Sequence, residues 1–183
     1  MYSRAKSGMN KVFTGEILSL VTAVLHNIGQ ASFAVGLVAS VLAIVSYVII
    51  LVGLKEASAD NVTFGNAMTF SIISLVLSII GSVTSIIPIV GAVIPWLIKF
   101  VIIVLDFCMI KCIVTGCAEL NSYFITSAGK IVKAAMIAMI LDLINNALFF
   151  LGGLLALSAL ISLIATFYCY IMMLILIKSF SER

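Results

Sequence analysis

Charged residues are scarce in this sequence. Of its 183 residues only 9% are Asp, Glu, Lys or Arg, whereas 64% are hydrophobic. A soluble domain carries roughly 25% charged residues. So few charges exclude a soluble globular fold, because the chain could not cover itself with a polar surface. A lipid bilayer removes this difficulty, since lipid solvates an apolar exterior.

Proline is also scarce, with only two residues, and the net charge is only +3. Because no long polar linker appears either, the sequence predicts one all-α integral membrane domain over residues 1–183. The basic residues are scattered, and no basic block with interleaved aromatic residues indicates a nucleic-acid partner. The lipid bilayer is therefore the expected partner, together with a second copy of the chain or another membrane protein.

The four cysteines lie in or beside apolar segments. Cys108 and Cys112 are one helical turn apart, but Cys117 is rotated far from Cys112, which is poor geometry for zinc. We interpret the cysteines as small hydrophobic residues rather than as metal ligands or a disulfide framework. No nucleotide-binding or catalytic motif is present, so the sequence predicts no enzyme activity, no metal and no cofactor.

Apolar segments long enough to cross a bilayer dominate the rest of the chain. A spanning helix needs about 20 predominantly apolar residues. Six segments are candidates, at residues 12–28, 32–54, 67–87, 92–116, 131–151 and 154–177. The first is the weakest, because it is short and contains Glu16 and His26. Its alternatives are a surface helix or a signal peptide with a basic leader.

The distribution of Lys and Arg predicts the orientation, because cytoplasmic loops carry an excess of these residues. With six spans and the N-terminus inside, nine of the ten Lys and Arg residues fall on the inner side and only Lys99 on the outer side. If residues 12–28 do not cross, the split weakens to six against four. We therefore predict three helical hairpins in the plasma membrane with both termini cytoplasmic.

Glycine and proline mark short outer connections at residues 26–32, 88–95 and 152–153. The two inner linkers, at residues 55–66 and 117–130, are predicted to be longer because their composition is mixed and polar.

Two acidic residues lie near the middle of predicted spans. Asp106 is near the middle of the fourth, where a charge costs roughly 2.5–3.5 kcal/mol on insertion scales. Neither Lys99 nor Lys111 is at contact spacing from it. Asp106 is therefore expected to face inward, toward another helix or water, or to stay protonated because burial penalises the charged form. Asp142, in the fifth span, has Asn145 and Asn146 one turn further on. We interpret this polar patch either as a structural tie between helices or as a site for an ion, a proton or a small solute.

A stripe of hydroxyl side chains runs along the third span at helical spacing. Its first members are Ser71, Ser74 and Ser78, and the pattern continues with Ser82 and Ser85. Small and hydroxyl residues allow close helix contacts and hydrogen bonds across them. This face is predicted to pack against other helices or to line a wet cavity.

Two functional classes remain open. In one, the protein is a small transporter, channel or solute-binding membrane subunit that uses its intramembrane polar residues, because carboxylates near the midplane suit ion-coupled transport. In the other, it is a scaffold or accessory subunit that packs against a larger membrane complex, which requires no such acids.

Overall fold

The computed structural model describes residues 2–29, 33–84, 90–148 and 155–183. Within these ranges the chain forms six α-helices: α1 (Ser3–Gly29), α2 (Phe33–Ala57), α3 (Val62–Thr84), α4 (Val90–Leu120), α5 (Ile125–Leu148) and α6 (Leu155–Glu182). A short 3-10 helix, Ser122–Phe124, precedes α5, and no strand occurs among the described residues. The prediction of an all-α helical bundle is confirmed.

Four helical stretches in the described residues are long and apolar enough to cross a membrane, which makes the chain a membrane protein. They are Leu37–Ala57, Val62–Thr84, Ser122–Leu148 and Ser158–Glu182. Neither α1 nor α4 is among them. The count of six spans, the three hairpins, the single domain and the cytoplasmic termini therefore stay predictions.

The helices extend beyond the apolar segments that the sequence marks. In place of a linker over residues 55–66, only residues 58–61 lie outside helices, and only Asn121 separates α4 from the 3-10 helix. Lys and Glu are good helix formers, so α2 continues through Lys55 and Glu56 after its apolar stretch ends. The predicted outer connections fall mostly on residues 30–32, 85–89 and 149–154, which lie outside the described residues.

Pro95 lies inside α4 rather than in a connection. The helix begins five residues earlier, at Val90, so Pro95 is past the first turn. There it lacks the N–H that would otherwise bond the carbonyl oxygen four residues back. In a membrane helix such a lost bond is tolerated where neighbouring groups satisfy the carbonyl.

The chain divides into two compact units. The first comprises Met1–Gly65 and Leu174–Arg183, and the second comprises Asn66–Met173. Helices α3 and α6 contribute residues to both.

In the first unit α1 and α2 pack with their backbones almost touching. The contact uses Gly8 and Gly15 on α1 and Gly53 on α2, all of them buried. A Cβ atom on Gly53 would lie only 2.5 Å from the carbonyl oxygen of Gly8. Glycine is required here because any side chain would hold the helices apart, as at other close crossings of membrane helices.

Polar and aromatic contacts join the ends of the helices in the first unit. Asp60, after α2, accepts a hydrogen bond from the backbone N–H of Ala5 at 2.7 Å and so satisfies a free donor in the first turn of α1. Lys11 forms an ion pair with Glu56 across the α1–α2 contact. The rings of Tyr2 and Phe180 stack at 5.7 Å, which packs the end of α6 against the start of α1.

The second unit is tightly packed where α4, the 3-10 helix and α5 meet. Ile113, Val114 and Cys117 in the last third of α4 are fully buried, and Phe124 is 2% exposed. The Asn121 side chain caps the 3-10 helix by accepting from the N–H of Tyr123 at 3.1 Å. Along α5 the buried face continues through Ala128, Ile131, Ala135 and Ala138, at alternating spacings of three and four residues. This face leads directly to Asp142.

Candidate functional site

Asp142 lies on the continuation of the buried face of α5 and contacts α6. Its Oδ1 accepts a hydrogen bond from Ser162 Oγ, and its Oδ2 accepts one from Thr166 Oγ1 at 3.1 Å. Ser162 and Thr166 are one helical turn apart, so both hydroxyls project from one face of α6. Both oxygens of the carboxyl group are therefore bound by hydroxyl donors within the second unit.

The two asparagines after Asp142 have other partners. Asn145 Oδ1 accepts from Ser158 Oγ at 3.1 Å, one turn from Ser162 on α6. Asn146 is 7% exposed and contacts α4 instead: its Nδ2 donates to the carbonyl oxygen of Trp96 at 3.4 Å, and Trp96 Nε1 donates to the carbonyl oxygen of Asn146 at 2.8 Å. These reciprocal bonds tie α5 to α4. Both asparagine side chains thus act as links between helices in the structure.

Asp106 lies at the middle of α4 and contacts α3. Its Oδ1 accepts a hydrogen bond from Ser74 Oγ at 3.1 Å. The side chain is exposed, whereas Asp142 is half-buried. The ion pairs Lys11–Glu56 and Lys178–Glu182 include neither Asp106 nor Asp142.

The hydroxyl stripe of α3 divides among three environments. Ser71 is 4% exposed, donates to the carbonyl oxygen of Ala67 and lies 2.9 Å from Met109 Sδ. Ser74 bonds Asp106. Ser78 is exposed, donates to the carbonyl oxygen of Ser74 and lines an open groove that also contains Lys99. Ser71, Ser74 and Ser78 thus do not form one site.

Asp106 and Asp142 line the same cavity, which has a volume of about 120 Å³ and lies among α4, α5 and α6. We call it the two-acid cavity. Its other lining residues include Thr166, Phe107, Tyr170 and Met139, and most of the remainder are aliphatic. Of the described residues that line it, none is Lys, Arg or His. The cavity therefore brings together two acids that lie 36 positions apart in the sequence.

Thr166, Tyr170 and Phe107 are absent from the sequence-based set of site residues. A signal for Thr166 exists, because it continues the stripe of Ser158 and Ser162 by one more turn of α6. Phe107 and Tyr170 have no comparable signal, because aromatic residues are common in membrane helices. The sequence does not show which of them line the same cavity as the acids.

The chemistry of the two-acid cavity suits a proton or a cation better than an anion. Two carboxylates that line one small cavity repel each other unless one of them is protonated or a cation binds between them. No group of three or more His, Cys, Asp or Glu residues in the described part of the chain is arranged to hold a metal ion. The four cysteines are free thiols, and Cys117 and Cys169 are buried.

No family model, curated protein or solved structure matches this chain.

Proposed function

We propose that this protein is a small transporter or channel-type membrane protein that binds a cation or a proton between Asp106 and Asp142. The observation that carries the proposal is that these acids, from two different helices, line one cavity to which no described basic residue contributes. Acidic residues inside a membrane protein are costly, and they mark ion and proton pathways in many transport proteins. The plasma membrane is the proposed location.

Hydroxyl donors hold both acids in place for this role. Ser162 and Thr166 fix both oxygens of Asp142, and Ser74 fixes one oxygen of Asp106. A carboxyl group held by hydroxyls keeps its orientation whether or not it carries a proton, because a hydroxyl both donates and accepts. The site can therefore gain or lose a positive charge without rearrangement of its helices.

The second candidate function is that of a scaffold or accessory subunit. It is favoured by the exposure of Asp106. A partner protein that covers this side chain would lower the free-energy cost of holding a carboxylate in the membrane. It is also favoured by Asn145 and Asn146, whose side chains join helices of the second unit. A scaffold needs no flux through the protein alone.

Flux in liposomes that contain only the purified protein separates the two functions. The transport proposal predicts movement of protons or monovalent cations, and predicts that Asp142→Asn or Asp106→Asn reduces this movement to the level of empty liposomes. The Asp142→Asn protein should remain folded, with a stability change of about 1 kcal/mol or less, because the amide keeps a hydrogen-bonding group toward α6.

The matched control is Asp60→Asn, which removes the third aspartate of the chain. Asp60 lies in the connection between α2 and α3, where its oxygen accepts from the N–H of Ala5, and an asparagine oxygen can do the same. This variant should retain full flux. Absence of flux in the wild-type protein, or normal flux in a folded Asp142→Asn protein, would favour the scaffold function.

A further inference from the structure

The walls of the two-acid cavity contain more carbon than oxygen. Apart from Asp106, Asp142 and Thr166, the lining includes Phe107, Tyr170 and Met139, and the remainder is mostly aliphatic. A ligand that fits must therefore combine a positive charge with an apolar body.

An inorganic divalent cation fits this lining poorly. Ca²⁺ takes six to eight oxygen ligands, and Mg²⁺ requires an octahedral set close to ideal geometry. The cavity offers two carboxyl groups, and three of their four oxygens already accept hydrogen bonds from Ser74, Ser162 or Thr166. An ion that entered would lose hydration water without gaining enough protein oxygens.

An organic ammonium ion fits the same lining well. Its charge is spread over alkyl groups, so less hydration is lost on entry, and its carbon atoms gain contacts with apolar walls. Phe107 and Tyr170 both line the cavity, and aromatic side chains surround the cation where proteins recognise quaternary ammonium groups. The adaptable thioether of Met139 can fill the irregular space around it.

The exposure of the acids defines a direction of entry. Asp106 and Thr166 are exposed, whereas Asp142 and Tyr170 are half-buried. The exposed pair therefore lies nearer to the surface of the second unit than the half-buried pair. A cation that enters from this surface would meet Asp106 before Asp142.

We propose that the two-acid cavity binds a small organic ammonium cation, with Asp106 and Asp142 as its counter-charges and the rings of Phe107 and Tyr170 as its walls. This inference rests on the proposed function and adds the substrate class. The volume of about 120 Å³ restricts the ligand to a compact head group.

The test is isothermal titration calorimetry of tetramethylammonium and benzyltrimethylammonium chloride into the full chain in phosphatidylcholine nanodiscs. This zwitterionic lipid prevents accumulation of cations at a charged surface, and empty nanodiscs supply the blank. At least one ammonium probe should bind with one-to-one stoichiometry. NaCl and KCl at equal ionic strength should not compete for the site.

The variants assign the binding to the cavity. Asp142→Asn and Asp106→Asn should each weaken it about tenfold or more, because each removes a counter-charge in a region of low dielectric. Tyr170→Leu should weaken it about fivefold, whereas Tyr170→Phe, which keeps the ring, should stay within about twofold of the wild type. Asp60→Asn is the control and should bind as the wild type does.

Three outcomes would overturn the inference: no saturable binding of either probe, binding that persists unchanged in both acid variants, or equal binding by Tyr170→Leu and the wild type. If neither probe binds but flux of protons or Na⁺ still requires the two acids, the proposed transport function is retained and only the organic ammonium substrate class is rejected. If flux is also absent, both the transport function and the organic ammonium substrate class are rejected. Should Asp142→Asn fail to fold, Asp106→Asn decides, since that exposed side chain accepts one hydrogen bond from Ser74.

Discussion

Substitution of Gly53 by alanine tests the closest helix contact in the first unit. The added Cβ would lie 2.5 Å from the carbonyl oxygen of Gly8 and 2.9 Å from the backbone nitrogen of Val12. Both are backbone atoms, so no side chain can rotate to make room. An ordinary contact begins at 3.4 Å, and the difference of 3.4 − 2.5 = 0.9 Å is the distance by which the backbones must separate locally.

Such a separation weakens the whole contact between α1 and α2, because a gap of 0.5–1 Å removes roughly a quarter to a half of the dispersion attraction between facing atoms. Overpacking of this kind costs about 1–3 kcal/mol. We expect a value in the upper half of that range for Gly53→Ala.

Gly129→Ala is the matched control. Gly129 is exposed on α5, and no heavy atom lies within 4 Å of the position its Cβ would take. Alanine is favoured over glycine in a helix by about 1 kcal/mol, so this variant should be as stable as the wild type or slightly more stable. Unfolding in mixed micelles with increasing denaturing detergent, followed by circular dichroism, should rank the two variants about 2 kcal/mol or more apart. Equal stability of both variants would refute the close contact.

Two further predictions concern orientation and surface charge. In a background without native cysteines, Val90→Cys should react with an impermeant maleimide from outside intact cells. Thr126→Cys, near the start of α5, should react only after the cells are opened, because the Lys and Arg distribution predicts that this end of α5 faces inside. Labelling of Val90→Cys only from the inside would contradict this orientation. Glu56→Gln removes the ion pair with Lys11 and should lower the free energy of unfolding by less than about 1 kcal/mol, because the pair is partly exposed. The loss should be smaller at high salt, which screens the pair. A larger loss that salt does not alter would contradict this prediction.

The faces of single helices could be predicted from the sequence, because helical periodicity alone determines which residues lie together. The sequence predicts one polar patch of Asp142, Asn145 and Asn146 on the fifth span. In the structure Asp142 and Asn145 contact α6, whereas Asn146 contacts α4. The same spacing does not say which helix lies opposite. The bond between Asp106 and Ser74 and the reciprocal bonds between Asn146 and Trp96 therefore required the three-dimensional structure.

Helix ends were harder to predict than helix existence. Hydropathy marks the apolar part of each helix, but a helix continues as long as its backbone bonds are made and its residues favour them. The polar residues after Leu54 and before Ile131 therefore belong largely to helices. The sequence predicts that Pro95 ends a connection because proline interrupts helices, but α4 starts five residues before it.

The position of Asp106 differs from the one that the free-energy cost of a charge in a membrane predicts. The cost of a carboxylate in a membrane requires that the group meet a polar partner or a positive charge, and the sequence led us to expect that it faces inward. In the structure the side chain is exposed, accepts a hydrogen bond from Ser74 and lines the two-acid cavity together with Asp142. Its polar partner is thus one hydroxyl group, and a second acid nearby adds repulsion rather than relief. A cation between the two acids would lower this repulsion, whereas a neutral partner surface would not. Binding and flux of the Asp106→Asn and Asp142→Asn proteins, measured beside their stability, therefore distinguish a cation site from a structural tie.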